Sequence, residues 1–235
     1  MDAPNKQLPR MIQFDGPDGV GKSVQLAIFA KFLSEKGYNI KTTKALGGDG
    51  TDWVQTELRK FLLDPKFPAD DAEVEEKLFA IADGRNLKAS RQFLEESNSN
   101  IVICDRGICS HVVYALAKDI DPNDLASWHG DLYNQYDELA NEFGGLNVIL
   151  VPEDEKMAME RVQSRGIQVT PRLENLDMQR AVIAGMRRVD RNDTLEGSFV
   201  SDLFDTVVIE VGRSEGIEAV TTKILTVLRQ RGYGV

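Results

Sequence analysis

FDGPDGVGKSVQ, Phe14 to Gln25, decides how this chain folds. Three glycines, a proline and two aspartates separate a short apolar run, Met11 to Phe14, from an amphipathic one that opens on Lys22-Ser23. Gly16-Pro17-Asp18-Gly19-Val20-Gly21-Lys22-Ser23 fits the spacing G-x-x-x-x-G-K-[ST]. Glycine reaches backbone conformations closed to other residues, so several N–H groups can turn inward on an anion. The following helix adds its positive N-terminal end. Lys22 reaches the β- and γ-phosphates, and the Ser23 hydroxyl is suited to ligate Mg²⁺. The stretch reads as a nucleoside triphosphate cradle with Mg-ATP as its cofactor, lined by Gly16, Asp18, Gly19, Val20, Gly21, Lys22, Ser23 and Val24. The plainer alternative is a strand-to-helix turn with an accidental Lys-Ser.

Outward from the cradle, apolar residues recur at helical spacing from Ser23 to Lys36, with Gly37 as the stop. Further helices are expected over Thr51 to Leu63 and about Ala72 to Glu95, the latter weakened by Gly84. Compact apolar runs stand at IVIC (101–104), VILV (148–151) and VVIEV (207–211), followed by helical patterns at 110–118, 153–164 and 215–229. Short continuous apolar strands alternating with helices imply a parallel sheet covered on both faces. No repeat or linker divides the chain, so one domain over 1–235 is expected, with 1–10 as a flexible tail. Ser164 to Leu176, with Arg165, Gly166, Pro171 and Arg172, lies between two helical patterns and is expected to be a mobile flap.

Composition narrows the function. The 235 residues are 42% hydrophobic and carry a formal net charge of −10, which suits a globular domain and disfavours general nucleic-acid binding. No apolar run approaches the ~20 residues needed to span a bilayer, and the N-terminus has no signal-peptide core. Cys104 and Cys109 make no disulfide framework, so the chain reads as cytoplasmic. Cys104 reads as core and Cys109 as a neighbour of the site. His111 and His129 stand alone in the sequence, so no metal site is read from them. Trp53 and Trp128 are expected to pack, and the acidic run EVEEK (73–77) to be a solvated helix face.

A cradle alone does not choose between a switch GTPase, a motor ATPase and a kinase. The guanine-reading N-K-x-D is missing: Asn5-Lys6 precedes the first strand and is followed by Leu8 at the Asp position. ICDRGICSHVVYA (103–115) puts Asp105 and Arg106 at the end of a parallel strand, where doubly wound folds bind ligands. A carboxylate there can hold the Mg²⁺ water shell, and a guanidinium can fork onto a second phosphate. A capping aspartate beside a surface arginine is the bland alternative.

Four blocks, in order across most of the chain, resemble the thymidylate kinase family of nucleoside monophosphate kinases. FDGPDGVGKSVQ is similar to its F-E-G-x-D-G-x-G-K-S-T-Q. GGDGTDWVQTELRKFLLDP (47–65) is similar to G-G-T…L-R-x-L-L-L-D-P. DRGICSHVVYA keeps Asp105, Arg106, Ser110 and Tyr114 of D-R-Y-x-x-S-x-x-A-Y-Q. MERVQSRGIQVTPRLE (159–174) resembles the lid, with Arg161, Arg165, Arg172 and Glu174 in register. The resemblance implies a three-layer α/β P-loop fold: a parallel five-stranded sheet, helices on both faces and a short lid at about 164–176. It implies transfer of a phosphoryl group from ATP to a deoxynucleoside monophosphate, dTMP by default, with Ser23 and Asp105 serving the Mg²⁺. Asp18 would accept from the acceptor's sugar 3′-hydroxyl, Arg106 would hold its phosphate, Phe79 would stack on its base, and Ser110 would sit beside that base. One branch of the family carries its catalytic arginine in the cradle, where this chain has Gly19; the lid would then supply it, from Arg172 with Arg165 beside it. The family also implies a homodimer.

The departures fall on the acceptor side. Lys44 replaces an arginine, Asp49-Gly50 are extra, Gly107 replaces a tyrosine, Ala115 a glutamine and Met186 a lid-helix tyrosine. The base-reading arginine falls on Asp83; Arg85 serves only with a two-residue slip. The acceptor set is thus Asp18, Lys44, Phe79, Arg85, Arg106, Ser110 and Tyr114. The alternatives are a kinase of the same fold for dUMP, 5-hydroxymethyl-dUMP or dCMP, a nucleotide-binding module without transfer, and a polynucleotide-end kinase, which the acidic balance disfavours.

Overall fold

The computed structural model describes residues 6–64, 72–164, 176–189, 191, 194–200 and 202–235. Its elements are β1 (Met11–Asp15), α1 (Lys22–Glu35), β2 (Asn39–Lys44), α2 (Trp53–Leu62), α3 (Ala72–Glu96), β3 (Asn100–Asp105), α4 (Ile108–Leu116) and α5 (Pro122–Phe143). β4 (Gly145–Pro152), α6 (Glu155–Ser164), α7 (Leu176–Met186), α8 (Leu195–Val200), β5 (Asp205–Val211) and α9 (Ile217–Gln230) follow. The strands form one five-stranded sheet in the order β2-β3-β1-β4-β5, parallel at every pairing. β1 stands at the centre, where the order turns from one side of the sheet to the other. Ligands of such sheets bind beyond the strand ends at this switch point.

The unbroken apolar runs conceal a period of two, because both faces of the sheet are covered. Ile12, Phe14, Ile101, Ile103, Leu146, Val148, Leu150, Val207 and Ile209 pack in one layer with Phe29 and Leu33 of α1 and Ile224 and Leu228 of α9. Met11, Val102, Ile149 and Val151 pack on the other face with Leu87 and Leu94 of α3, Val112 of α4, Tyr136 of α5 and Met186 of α7. Burying such a side chain contributes about 1.5–3 kcal/mol each, which makes these layers the main source of stability.

The apolar pattern of the sequence does not mark β2, α5 or the short α8. β2, NIKTTK, is an edge strand whose only fully buried side chain is Thr43, so it carries almost no apolar signal. α5 opens with Asp121 accepting from Asn123 N and with Pro122 in its first turn, a start signal that its polar composition hid. Gly84 does not break α3; it faces Gln135 of α5 at ordinary contact distance. Of the expected tail, residues 1–5 lie outside the described residues. Lys6 pairs with Asp205 at 2.8 Å, Leu8 is buried, and Arg10 N donates to Phe143 O, so 6–10 are held to the body. Among the described residues, no helix is long and apolar enough to cross a membrane.

Two surface expectations are corrected. Trp53, at the start of α2, is 75% exposed, whereas Trp128 does pack, against Ile120 and Leu125. The acidic run at 73–77 is only partly solvated: Glu75 and Glu76 are buried, where α3 meets α4 and α5, and both pair with Lys118, at 3.3 and 2.8 Å.

Candidate active site

The chain leaves β1 at Asp15 and enters α1 at Lys22 through the glycine loop. Gly19 adopts φ 81°, and a β-carbon there would lie 2.2 Å from the Ala158 carbonyl oxygen, so the loop is pressed against α6. Gly21 caps α1 at φ 105°, and a β-carbon there would point into open space, with nothing within 4 Å. The loop is therefore tight at Gly19 and open at Gly21. Lys22, 6% exposed, donates to the Pro17 carbonyl at 2.9 Å and stands 3.7 Å from Asp18. Burial first, then repulsion from Arg106, lowers its ammonium to about 8. Ser23 Oγ donates to Asp105 Oδ2 at 3.0 Å, so the two residues read as serving a metal meet across the ends of α1 and β3.

Arg106 is the second centre of charge. It follows β3 in the left-handed region at φ 71°, which costs a non-glycine residue about 1–2 kcal/mol. That turn aims its guanidinium back at the cradle. One nitrogen donates to Asp18 Oδ1 at 2.6 Å; another reaches Gly16 O at 3.2 Å and Ser110 Oγ at 3.3 Å. The guanidinium lies over the Tyr114 ring, 5.1 Å from its centroid. Burial would lower the Arg106 pKa, but Tyr114, Asp18, Asp105 and Asp15 outweigh it and raise it. Arg106 in turn leads the causes that hold Asp18 at about 2.

Asp15 and Gln13, which no sequence motif marks, stand beside these residues and hold the start of α4. Asp15 Oδ1 accepts from Gly107 N and Ser110 N, both at 3.1 Å, and from the Ser110 hydroxyl. This locks the start of α4 onto β1. Burial raises its carboxyl pKa, opposed by those bonds. Its Oδ2 has no hydrogen-bond partner among the described residues. Gln13 Oε1 accepts from Ile108 N at 3.2 Å, and a β-carbon at Gly107 would collide with that side chain at 2.1 Å. A side chain at 107 would push the end of Gln13 off its bond to Ile108. The only signal for Asp15 was its position immediately before the first glycine.

The acceptor-side candidates are spread more widely. Phe79 is half-buried, with Lys118 Nζ 5.5 Å above its ring and His111 edge-on at 6.2 Å. Asp83 is fully buried, held by His111 Nε2 at 2.8 Å and by the Tyr136 hydroxyl. Arg85 is exposed and donates to Asp52 Oδ2, the N-cap of α2, at 2.7 Å. Lys44 is exposed at the end of β2, where its backbone closes a turn with Gly48. The extra Asp49 accepts from Thr51 N and Oγ1 and pairs with Lys41 at 3.1 Å, tying that turn down. Ala115 and Met186 are core. Arg165 and Arg172 of the expected lid lie outside the described residues.

The open side of the loop at Gly21, the Ser23–Asp105 pair and the free Asp15 oxygen fit a triphosphate with its metal. A strand–glycine loop–helix cradle with a second cation one strand away defines a P-loop nucleotide kinase. The family model for thymidylate kinase matches residues 14–196. The chain belongs to the thymidylate kinase family. It is similar to a thymidylate kinase of Caldicellulosiruptor saccharolyticus, 31% identical over 84% of this chain and 93% of that protein. Solved thymidylate kinases from Candida albicans (TM-score 0.63, 20% identity, 98% and 94% of the two chains) and Ehrlichia chaffeensis (TM-score 0.62, 21% identity, 94% and 98%) share its fold.

Proposed function

We propose that the protein transfers the γ-phosphoryl group of ATP to dTMP, giving dTDP and ADP. The observation that carries this reading is Arg106, whose guanidinium bridges Asp18 of the cradle and Ser110 at 2.6 and 3.3 Å. A second phosphate held there would face the first across the loop. Phosphoryl transfer needs alignment and positive charge on the moving group more than covalent chemistry. Mg²⁺, served by Ser23 and Asp105, would draw charge from the phosphate oxygens. Lys22 leaves the Pro17 carbonyl for the β- and γ-phosphates, Arg106 exchanges Asp18 for the acceptor phosphate, and Asp18 is then free to accept from the sugar. Tyr114 supports the guanidinium from below. Phe79 offers a ring face to the base, Lys44 lies at the acceptor end of β2, and Arg85 reaches the base edge on leaving Asp52. Arg172, with Arg165, would supply the remaining positive charge to the transferring group; Gly19, in place of an arginine in the cradle, supports this division of labour.

The same reading includes one catalytic domain in a cytoplasmic protein, supported by Cys104 and Cys109, which are buried and not joined in a disulfide. It includes a homodimer, supported by exposed Trp53 and Phe61 on α2 and Val74 and Ile81 on α3. Nucleic acid and membranes are not partners. The test is incubation with Mg-ATP and dTMP and separation of products by anion exchange. Equimolar ADP and dTDP are expected; ADP formed without dTDP, or no turnover, would overturn the proposal.

A further inference from the structure

We propose that Glu76, His111 and His129 form a site for a first-row divalent transition ion, zinc by default, which pins α3, α4 and α5 together beside Phe79. The two histidines are distant in sequence, but the packing of α4 on α5 brings their rings to 5.8 Å between centroids. Glu76 reaches them from α3, and one donor atom of each residue lies within 4.8 Å of the others, all buried. Tetrahedral zinc with bonds of about 2.0–2.1 Å wants donors about 3.3 Å apart, so binding would draw the three side chains inward.

An unfilled demand for partners points to a ligand. His129 is 0% exposed, and neither ring nitrogen has a hydrogen-bond partner among the described residues. Its Nε2 approaches Glu76 Oε2 at 3.4 Å without hydrogen-bond geometry. The hydroxyl of Tyr133, whose ring lies 5.8 Å from that of His129, is likewise unpartnered. Such groups in a dry interior are unfavourable unless something binds them.

The surroundings orient the donors. Lys118 holds Glu76 Oε1 at 2.8 Å and leaves Oε2 toward His129. Asp83 holds His111 Nε2 at 2.8 Å, so His111 would bind the ion through Nδ1. A carboxylate fixing the far nitrogen of a histidine is the usual outer support of a metal-bound imidazole. Charge agrees: Glu75 and Glu76 share the ammonium of Lys118, at 3.3 and 2.8 Å, and Asp83 is buried behind His111, so carboxylates crowd the donors and favour a cation. Two imidazoles and one carboxylate suit zinc or a neighbouring transition ion rather than calcium or magnesium. Water takes the fourth position, with the Tyr133 hydroxyl as its partner. The ion would fix His111 against Phe79, at 6.2 Å between ring centroids.

The test uses the full chain without a polyhistidine tag, exposed to zinc in excess Mg²⁺, desalted and analysed for metal. About one zinc per chain is expected, with a thermal midpoint that falls on chelation. His129→Asn and Glu76→Gln, checked for folding by circular dichroism, should retain none, and Asp83→Asn should bind about 10–100-fold more weakly. No zinc in the wild type, with a midpoint indifferent to it, overturns the proposal in favour of water or protonated imidazoles. Equal zinc in wild type and variants overturns it in favour of a surface ion. Where the variants do not fold, the cobalt(II) spectrum of the wild type decides: intense four-coordinate bands support the site, and a weak six-coordinate spectrum overturns it.

Discussion

Two glycines of one loop should fail in opposite ways. Gly19→Ala places a methyl group 2.2 Å from the Ala158 carbonyl oxygen at φ 81°. The left-handed backbone costs alanine about 1–2 kcal/mol. Real β-carbons essentially never come within 3.0 Å of another heavy atom, so the loop and α6 must part, and such overpacking costs about 1–3 kcal/mol. The sum, about 2–5 kcal/mol, lowers the thermal midpoint of a chain this size by about 4–20 °C. Gly21→Ala meets nothing within 4 Å and bears only the backbone cost at φ 105°. Its methyl instead occupies the space in which a phosphate would lie, so stability changes by about 1–2 kcal/mol while ATP affinity collapses. Calorimetric unfolding and titration with ATP measure both. A Gly19→Ala protein as stable as the wild type, or a Gly21→Ala protein that binds ATP normally, would refute the geometry of the cradle.

Lys22→Ala should abolish turnover in a steady-state assay, and normal activity would sink the cradle assignment. In the nucleotide-free protein Lys22 titrates at about 8, so above that pH it has lost a proton that the unfolded chain keeps until about 10.5. Its burial therefore opposes folding below pH 8, and the penalty fades as pH rises toward the unfolded value. ATP should restore the proton, so calorimetry at pH 9 in buffers of different ionisation enthalpy should show proton uptake that Lys22→Met abolishes. Arg106→Lys keeps the charge but loses the fork shared by Asp18 and Ser110, so kcat should fall about 10²-fold or more while ATP affinity holds. Arg172→Ala should lower kcat far more than ATP binding; damage confined to Arg165→Ala would mean that the lid register is displaced.

The central fold was legible because both of its signals are local. Glycine spacing marked the cradle, and apolar runs marked the buried strands β1, β3, β4 and β5. β2 was not legible, because an edge strand with one buried side chain has no apolar pattern. α5 was masked by its polar exposed face. On the site, Lys22, Ser23, Asp105, Arg106, Asp18 and Ser110 were named from the sequence, and the structure brings them together. Tertiary relations were out of reach. Nothing in EVEEK says that Lys118 will arrive to bury Glu75 and Glu76. Nothing in the spacing of His111 and His129 says that α4 and α5 will cross at those residues. The choice between Asp83 and Arg85 likewise depended on which side of α3 is covered, and the structure puts Asp83 inside and Arg85 out.

The most direct measurement is acceptor-dependent ADP release with Mg-ATP, as kcat/KM, across dTMP, dUMP, 5-hydroxymethyl-dUMP, dCMP, dGMP, dAMP and no acceptor. The account expects no appreciable release without an acceptor and the highest value for dTMP, despite the departures at Lys44, Asp83, Gly107, Ala115 and Met186. A higher value for another nucleotide, or release indifferent to the acceptor, would contradict it.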